Sequence, residues 1–153
     1  MFAICFVEPR IAGNTGNAIR LAAATGAHLH VVNPLFDFED SKLRRAGLDY
    51  HDLAVVTVHE SFDQALDAFG EARLFAFTTG ATRAYTDVAY EPGDVLMFGS
   101  EPTGLPEEVT GHQRVTDRLR LPMLPARRSM NLANCASIAV YEAWRQHGFA
   151  GAV

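Results

Sequence analysis

The sequence predicts a single α/β domain in which helices cover both faces of a mainly parallel sheet. Short apolar runs alternate with helical patterns along all 153 residues, and neither an internal repeat nor a low-complexity linker interrupts them. Hydrophobic residues make up 48% of the chain and charged residues 20%, which is ordinary usage for a folded globular protein. We therefore expect one domain, residues 1–153, that is large enough to bury a core.

Six apolar runs of strand length are expected to form the sheet. They cover residues 2–7, 28–32, 54–58, 74–78, 95–98 and 119–121. Parallel sheets of this kind bind ligands outside the carboxyl ends of their strands. Four polar loops are expected to meet at that edge, namely those around Asn14, residues 78–80, Gly99 and Ser129.

Helical patterns separate these runs. Residues 13–16 are expected to turn the chain into a first helix, which ends at Gly26. Further helices are expected at 42–46, at 62–69 with Ser61 as the N-cap, briefly from 106, and through most of 131–146.

The first and last of these helices have apolar arcs that are wider than one packed face needs. The first leaves only Asn17 and Arg20 as a narrow polar strip, and the last leaves a stripe that ends in Tyr141 and Arg145. Two packed surfaces on each helix are therefore predicted. An arginine on so buried a helix must pair with a carboxylate or face a cleft, because an unpaired buried charge is very costly. Both interpretations of Arg20 stay open.

Charge, cysteine and histidine patterns exclude several classes of function. The net charge of −5 argues weakly against indiscriminate nucleic-acid binding, although local basic clusters can still attract a polyanion. Cys5 and Cys135 form no spaced ligand or redox motif, and His28 and His30 lack a third metal ligand. There is no signal-peptide pattern, and no apolar run approaches the roughly 20 residues of a membrane span. We expect a cytoplasmic protein with reduced thiols, no metal and no membrane association.

The glycine-marked turn after the first strand offers a nucleotide-binding interpretation, which the residues disfavour. Gly13 and Gly16 lie between a strand and a helix, but a third glycine is missing at the required offset. Asn33 also stands where an acidic ribose ligand would be expected. A nicotinamide-binding or flavodoxin-like enzyme is therefore the weaker alternative.

Two other loops carry polar groups that could hold a ligand. In FGSEPTGLP, Gly99 lets the backbone approach a ligand closely, and Glu101 is either a functional group or a solvated carboxylate. Before the last helix, Ser129 and Asn131 present a hydroxyl and an amide next to a basic pair. Ser129 is there either an N-cap or part of a site for a sugar and a phosphate.

Five basic side chains are candidates for phosphate contacts. They are Lys42, Arg44, Arg45, Arg127 and Arg128. Each group could equally be a solvated surface.

Three stretches together resemble the motifs of the SPOUT class of knotted RNA methyltransferases. NTGNAIR resembles the first motif, FGSEPTGLP the second and LPMLPARRSMNLANCASIAVYEAWR the third, in that order. The similarity extends over nearly the whole chain, including LRRAGLDYH at 43–51. It is greatest to small single-domain members of the class, which implies methylation of the ribose 2′-hydroxyl of the wobble nucleotide in a tRNA anticodon stem-loop. The expected target is a cytidine or modified uridine in leucine-type tRNA.

The resemblance also implies a fold, a cofactor and an assembly. The C-terminal segment is expected to thread through a loop and form a deep trefoil knot. The knot loops would hold S-adenosyl-L-methionine, with S-adenosyl-L-homocysteine as the product. The chain would form a homodimer through its first and last helices, so that each site takes residues from both subunits. The implied cofactor-binding residues are Phe77, Thr78, Gly99, Leu121, Ser129 and Met130.

The catalytic residues that the resemblance implies are Arg20, Glu101, Asn14, Ser129 and Asn131. Arg20 is expected beside the 2′-hydroxyl, as an electrostatic guide rather than a base, because a guanidinium is very reluctant to lose its proton. Glu101 is expected to orient Arg20 through a bidentate pair. The alternatives are methylation of another tRNA or rRNA position and a non-catalytic knotted dimer that binds RNA.

Overall fold

The described part of the chain contains a sheet of six parallel strands. The structure is a computed structural model that describes residues 1–38 and 55–153. Across the sheet the strands follow the order β3-β2-β1-β5-β4-β6, and all five pairings are parallel. The predicted α/β class is therefore confirmed. The strands are β1 (Ala3–Val7), β2 (His28–Val32), β3 (Val56–His59), β4 (Leu74–Phe77), β5 (Val95–Phe98) and β6 (Val115–Leu119).

Helices connect these strands. Ser61 accepts a hydrogen bond from Gln64 N at 3.2 Å and is the N-cap of its helix, as predicted. The helix expected at 42–46 and the stretch at 43–51 lie outside the described residues. In the described chain the helices are α1 (Ala12–Thr25), α2 (Phe62–Phe69), α3 (Glu107–Thr110) and α4 (Leu132–Gln146), together with a 3₁₀ turn at Tyr85–Asp87.

Two predicted boundaries are wrong. Residues 13–16 belong to the first turns of α1 rather than to a loop, because both glycines take helical backbone geometry there. The last strand was expected at 119–121 but runs Val115–Leu119. Among the described residues it pairs only with β4, at an edge of the sheet, so polar residues alternate along it and it lacks a continuous apolar run.

Alternate residues of the sheet face two apolar layers. Ile4 and Phe6 of β1 pack in the layer that contains α1 and α4. Cys5 and Val7 point the other way and pack with Phe69 of α2. Helices therefore cover both faces, and β1 is buried on both sides as a central parallel strand should be.

The apolar arc of α4 is covered within the chain. One part contacts α1 and another contacts β5, so the two predicted packed surfaces exist but neither of them requires a partner subunit. Arg145 forms a salt bridge with Glu142, with 2.8 Å between Arg145 Nε and Glu142 Oε2. The buried residues of the helix are Leu132, Ala133, Ala136, Ala139, Val140, Ala143 and Trp144. The stripe that stays exposed contains Asn134, Ile138, Tyr141 and Arg145.

The end of α4 lies against the segment that joins β4 to β5. Gln146 accepts a hydrogen bond from Tyr90 N and donates one to Val88 O, both at 2.9 Å. His147 Nε2 donates to Tyr90 O at 2.7 Å. These contacts hold the last helix against that segment, and the expected trefoil knot stays a prediction. In residues 1–38 and 55–153 no helix is long and apolar enough to cross a membrane.

Candidate functional site

A cavity of about 450 Å³ opens at the carboxyl ends of β4 and β5. This is the edge at which parallel sheets bind ligands, and the volume falls within the roughly 300–1,000 Å³ of small-molecule sites. The start of α1 and the segment before α4 complete the wall. The lining residues fall at 11 and 14, 77–79, 98–105, 121 and 123, 129–132, and 135.

Nine of the ten predicted site residues line this cavity. The structure therefore brings parts of all three motif-bearing segments together. Arg20 is the exception: it is exposed on α1, about 9 Å further along the helix axis than Asn14. The nine are Asn14, Phe77, Thr78, Gly99, Glu101, Leu121, Ser129, Met130 and Asn131.

Glu101 lies at the N-terminus of α1. Its Oε2 accepts a hydrogen bond from Arg10 N at 2.8 Å, and its Oε1 accepts one from Ile11 N at 3.1 Å. The N-cap residue, Ile11, has no side-chain oxygen to offer, so a carboxylate 90 positions away meets the amides at this helix end. Negative charge is favourable there because of the helix dipole. The expected pair of Glu101 with Arg20 stays a prediction.

Two amide side chains continue from Glu101 along the cavity wall. Asn14 Nδ2 donates to Glu101 Oε1 at 3.2 Å, and Asn131 Nδ2 donates to Asn14 Oδ1 at 2.9 Å. Asn131 Oδ1 accepts from two backbone N–H groups in the first turn of α4, at 2.9 and 3.3 Å. Asn131 is therefore the N-cap of α4, and the assignment of Ser129 to that role is wrong. Ser129 lies two residues earlier, exposed at the cavity.

The loop after β5 folds back closely on itself. A Cβ on Gly99 would lie 1.9 Å from the carbonyl carbon of Gly104 and 2.0 Å from Leu105 N. Gly104 N also donates to Ser100 O at 2.8 Å. The Oγ of Ser100 is buried and has no hydrogen-bond partner among the described residues, although Ser100 lines the cavity. Such a hydroxyl is a natural place for a polar ligand group.

Another part of the cavity lining is apolar. Phe77 stacks on Phe98 with ring centroids 4.7 Å apart and an interplanar angle of 25°. Leu121, Met123 and Met130 are further apolar residues of the lining. The lining therefore has an apolar part, the apolar wall, and a polar part, the polar edge, which together suit a ligand that combines an aromatic ring with polar groups.

Comparison with known proteins identifies the family. The model of the SpoU rRNA methylase family matches residues 1–141. The chain belongs to this family. It is 50% identical to the tRNA (cytidine(34)-2'-O)-methyltransferase of Methylovorus glucosotrophus, over 100% of both chains. It is 49% identical to the enzyme of that name from Escherichia coli K12, over 100% of this chain and 98% of that one.

Solved structures agree with this assignment to the SpoU family. One, described as "Structural insights into the 2-OH methylation of C/U34 on tRNA", superposes with a TM-score of 0.89 at 39% identity over 97% of each chain. An AdoMet-bound rRNA methyltransferase from Sinorhizobium meliloti superposes with a TM-score of 0.79 at 25% identity, over 94% of this chain and 56% of that one. The resemblance to the SPOUT class is confirmed.

Several cavity residues of this SpoU chain were not predicted. Ile11 and Met123 carry no chemical signal in the sequence, because an isolated apolar residue in a loop does not show what it faces. The position of Cys135 did carry a signal in the sequence, because Cys135 lies one helical turn after Asn131. It is half-buried, and burial raises the pKa of its thiol. Cys5 is fully buried, as expected.

The remaining candidates lie outside the SpoU cavity. His30 Nδ1 and His59 Nε2 are 2.9 Å apart, and burial lowers the pKa of His30 to about 4, with a further contribution from His28. Within the described ranges, no group of three His, Cys, Asp or Glu side chains could hold a metal. Arg127 and Arg128 are exposed close to the cavity-lining Ser129. Lys42, Arg44 and Arg45 lie outside the described residues.

Proposed function

We infer that this protein is a methyltransferase that modifies the ribose 2′-hydroxyl of nucleotide 34 in tRNA. The observation that carries this inference is the meeting of all three motif segments at one cavity, in a chain 50% identical over its full length to a tRNA (cytidine(34)-2'-O)-methyltransferase. We propose cytidine or modified uridine in leucine-type anticodon stem-loops as the target and the cytoplasm as the location.

We propose S-adenosylmethionine as the methyl donor. The cavity fits it, because the apolar wall of Phe77 and Leu121 suits an adenine ring. On the polar edge, the exposed Ser129 and the unpartnered hydroxyl of Ser100 suit its polar groups. When bound, this cofactor supplies an electrophilic methyl group and leaves as S-adenosylhomocysteine.

The protein must position a weak nucleophile. A ribose 2′-hydroxyl is mostly protonated at neutral pH, so its oxygen must be held in line with the methyl group and its proton must be helped to leave. We propose that Arg20 guides this hydroxyl and the neighbouring phosphate electrostatically. Its place on α1, outside the cavity of its own chain, supports a site that includes residues of a second subunit.

Arg20→Ala tests this role. We expect the variant to bind S-adenosylmethionine normally and to lose methyl transfer, whereas Arg20→Lys keeps the charge and should retain part of the activity. Full activity of the alanine variant would remove Arg20 from the mechanism.

The activity itself is tested with labelled S-adenosylmethionine and total tRNA from cells that lack the modification. We expect one methylated ribose, and nucleotide mapping should place it at position 34. Methylation at another position would contradict the proposed substrate. RNA binding without any transfer would instead support a non-catalytic dimer.

RNA contacts are proposed for Arg127 and Arg128. Both are exposed beside the segment that lines the cavity, where they could contact anticodon-loop phosphates. Each phosphate contact should contribute about 0.7–0.9 to the slope of log affinity against log salt. We therefore expect a shallower slope for Arg127→Ala and Arg128→Ala, and an unchanged slope for Arg118→Ala on the edge strand β6.

We also propose a homodimer formed through α1 and α4. Ile138 and Tyr141 on α4 are 38% and 45% exposed, and Ala23 and Ala24 of α1 are exposed as well. Exposed apolar groups on two adjacent helices are the kind of surface that a subunit interface covers.

A further inference from the structure

We infer that Glu101, Asn14 and Asn131 form a hydrogen-bonded brace that sets the shape of the cofactor cavity, and that they are positioning residues rather than catalytic ones. The inference rests on the proposed function, because it concerns how that cavity is held ready for its cofactor. It changes the role expected for three residues that the sequence placed in catalysis.

The brace has a single hydrogen-bond direction. Asn131 donates to Asn14, which donates in turn to Glu101, while Asn131 Oδ1 faces backbone donors of α4. Turning either amide over would place a donor against a donor or an acceptor against an acceptor. The orientation of each side chain is therefore fixed by its neighbours.

The brace joins parts of the chain that are far apart in sequence. Its two links span 87 and 117 positions and tie together the start of α1, the loop after β5 and the start of α4. Ser129 and Met130 directly precede Asn131, and Gly99 and Ser100 directly precede Glu101. The cofactor-binding segments therefore lie immediately next to the two ends of the brace.

The engaged atoms argue against direct catalysis by these side chains. Both carboxylate oxygens of Glu101 are held at the start of α1, and the oxygen and nitrogen of each amide are bonded. Asn14 is only 7% exposed. A group that acts on the substrate needs an atom directed at the reacting hydroxyl, and here those atoms are directed at one another.

Asn131→Asp separates the brace from the helix cap. A carboxylate still caps α4 well, but it cannot donate to Asn14 Oδ1. We expect a Kd for S-adenosylmethionine that is raised about tenfold, as loss of one part-buried hydrogen bond would give, and only a small change in melting temperature, because the cap of α4 is kept. Asn134→Asp is the matched control: it adds the same charge in the same helical turn, at an exposed side chain outside the cavity.

A rescue pair tests the hydrogen-bond direction. Asn14→Asp alone sets two carboxylates against each other and should weaken cofactor binding. Adding Glu101→Gln supplies an amide donor that faces the new carboxylate. Its remaining oxygen can still accept from Arg10 N, while the contact of Oε1 with Ile11 N is lost. We expect the double variant to bind the cofactor more tightly than Asn14→Asp alone, which a packing role would not produce.

Calorimetric titration with S-adenosylmethionine, in the absence of tRNA, decides the inference. Wild-type affinity in Asn131→Asp, or a double variant no better than Asn14→Asp, would overturn the brace. Failure of the proposed function gives a different result, in which the wild-type protein binds the cofactor, the variants behave as expected and no tRNA ribose is methylated.

Discussion

Gly99 is the residue whose replacement should damage the cavity most directly. In Gly99→Ala the new Cβ would overlap backbone atoms of Gly104 and Leu105, so the loop must open. We expect a loss of at least about 1–3 kcal/mol in stability, with loss of cofactor binding. Gly13→Ala is the control, because a Cβ there meets nothing within 4 Å and lies in a helix. Urea unfolding should show that control at wild-type stability or slightly above it.

His30 should make the protein less stable in mild acid. Burial lowers its pKa from 6.5 to about 4, and the pKa of His59 is also lowered, by burial and by His28. Between pH 6.5 and about 4 the unfolded chain therefore binds more protons than the folded chain does. The contribution of neutral His30 to the free energy of unfolding is fully present above pH 6.5 and is lost progressively as the pH falls towards about 4.

The measurement is the urea midpoint of the wild-type protein and of His30→Gln between pH 7 and pH 4. Glutamine can still hydrogen-bond His59 but does not take up a proton. The variant should lose less stability than the wild type across this range. Parallel curves for the two proteins would show that His30 does not carry the effect.

Among the elements, α2 shows what local sequence can predict and α1 shows what it cannot. Helix α2 has a capping serine and an amphipathic pattern, and its bounds were predicted without error. The start of α1 was missed because its capping oxygens belong to Glu101, which only the folded chain brings there. Edge strand β6 was missed because solvent on one side permits polar residues within it.

Ser61→Ala should destabilise α2 without affecting the site. The hydroxyl satisfies Gln64 N, and loss of such a cap typically costs about 1 kcal/mol. Thermal unfolding should show the loss, and Ser61→Asp, which can also cap, should restore it. Cofactor affinity should be unchanged in both variants, since α2 lies on the sheet face away from α1 and α4.

At the scale of the whole molecule, Ile138→Asp should convert the proposed dimer into monomers. The substitution places a charge on the exposed stripe of α4, next to Tyr141, where burial against a partner would be costly. Sedimentation velocity should show half the wild-type mass. A methyl-transfer assay should show reduced activity. Val58→Asp is the control, because Val58 is 50% exposed on β3, in a strand at the far edge of the sheet. A monomeric wild-type protein would remove the dimer proposal.

The composition of the cavity could be predicted, but its internal contacts could not. Motif resemblance and strand order bring nine site residues to one edge of the sheet. Neither reveals that Glu101 accepts hydrogen bonds from the backbone amides just before α1, or that Asn14 and Asn131 meet. Such pairings depend on side-chain directions, which one-dimensional patterns do not contain.

The hydrogen bond between Asn14 and Asn131 determines when, during synthesis, the protein can first bind its cofactor. Residues 117 positions apart must meet before the cavity has its shape, so the wall cannot form on a nascent chain until α4 has left the ribosome. Much of the sheet can be translated long before that moment. Cofactor capture should therefore be the last property that a newly made chain acquires, and chains truncated before α4 should bind no methyl donor.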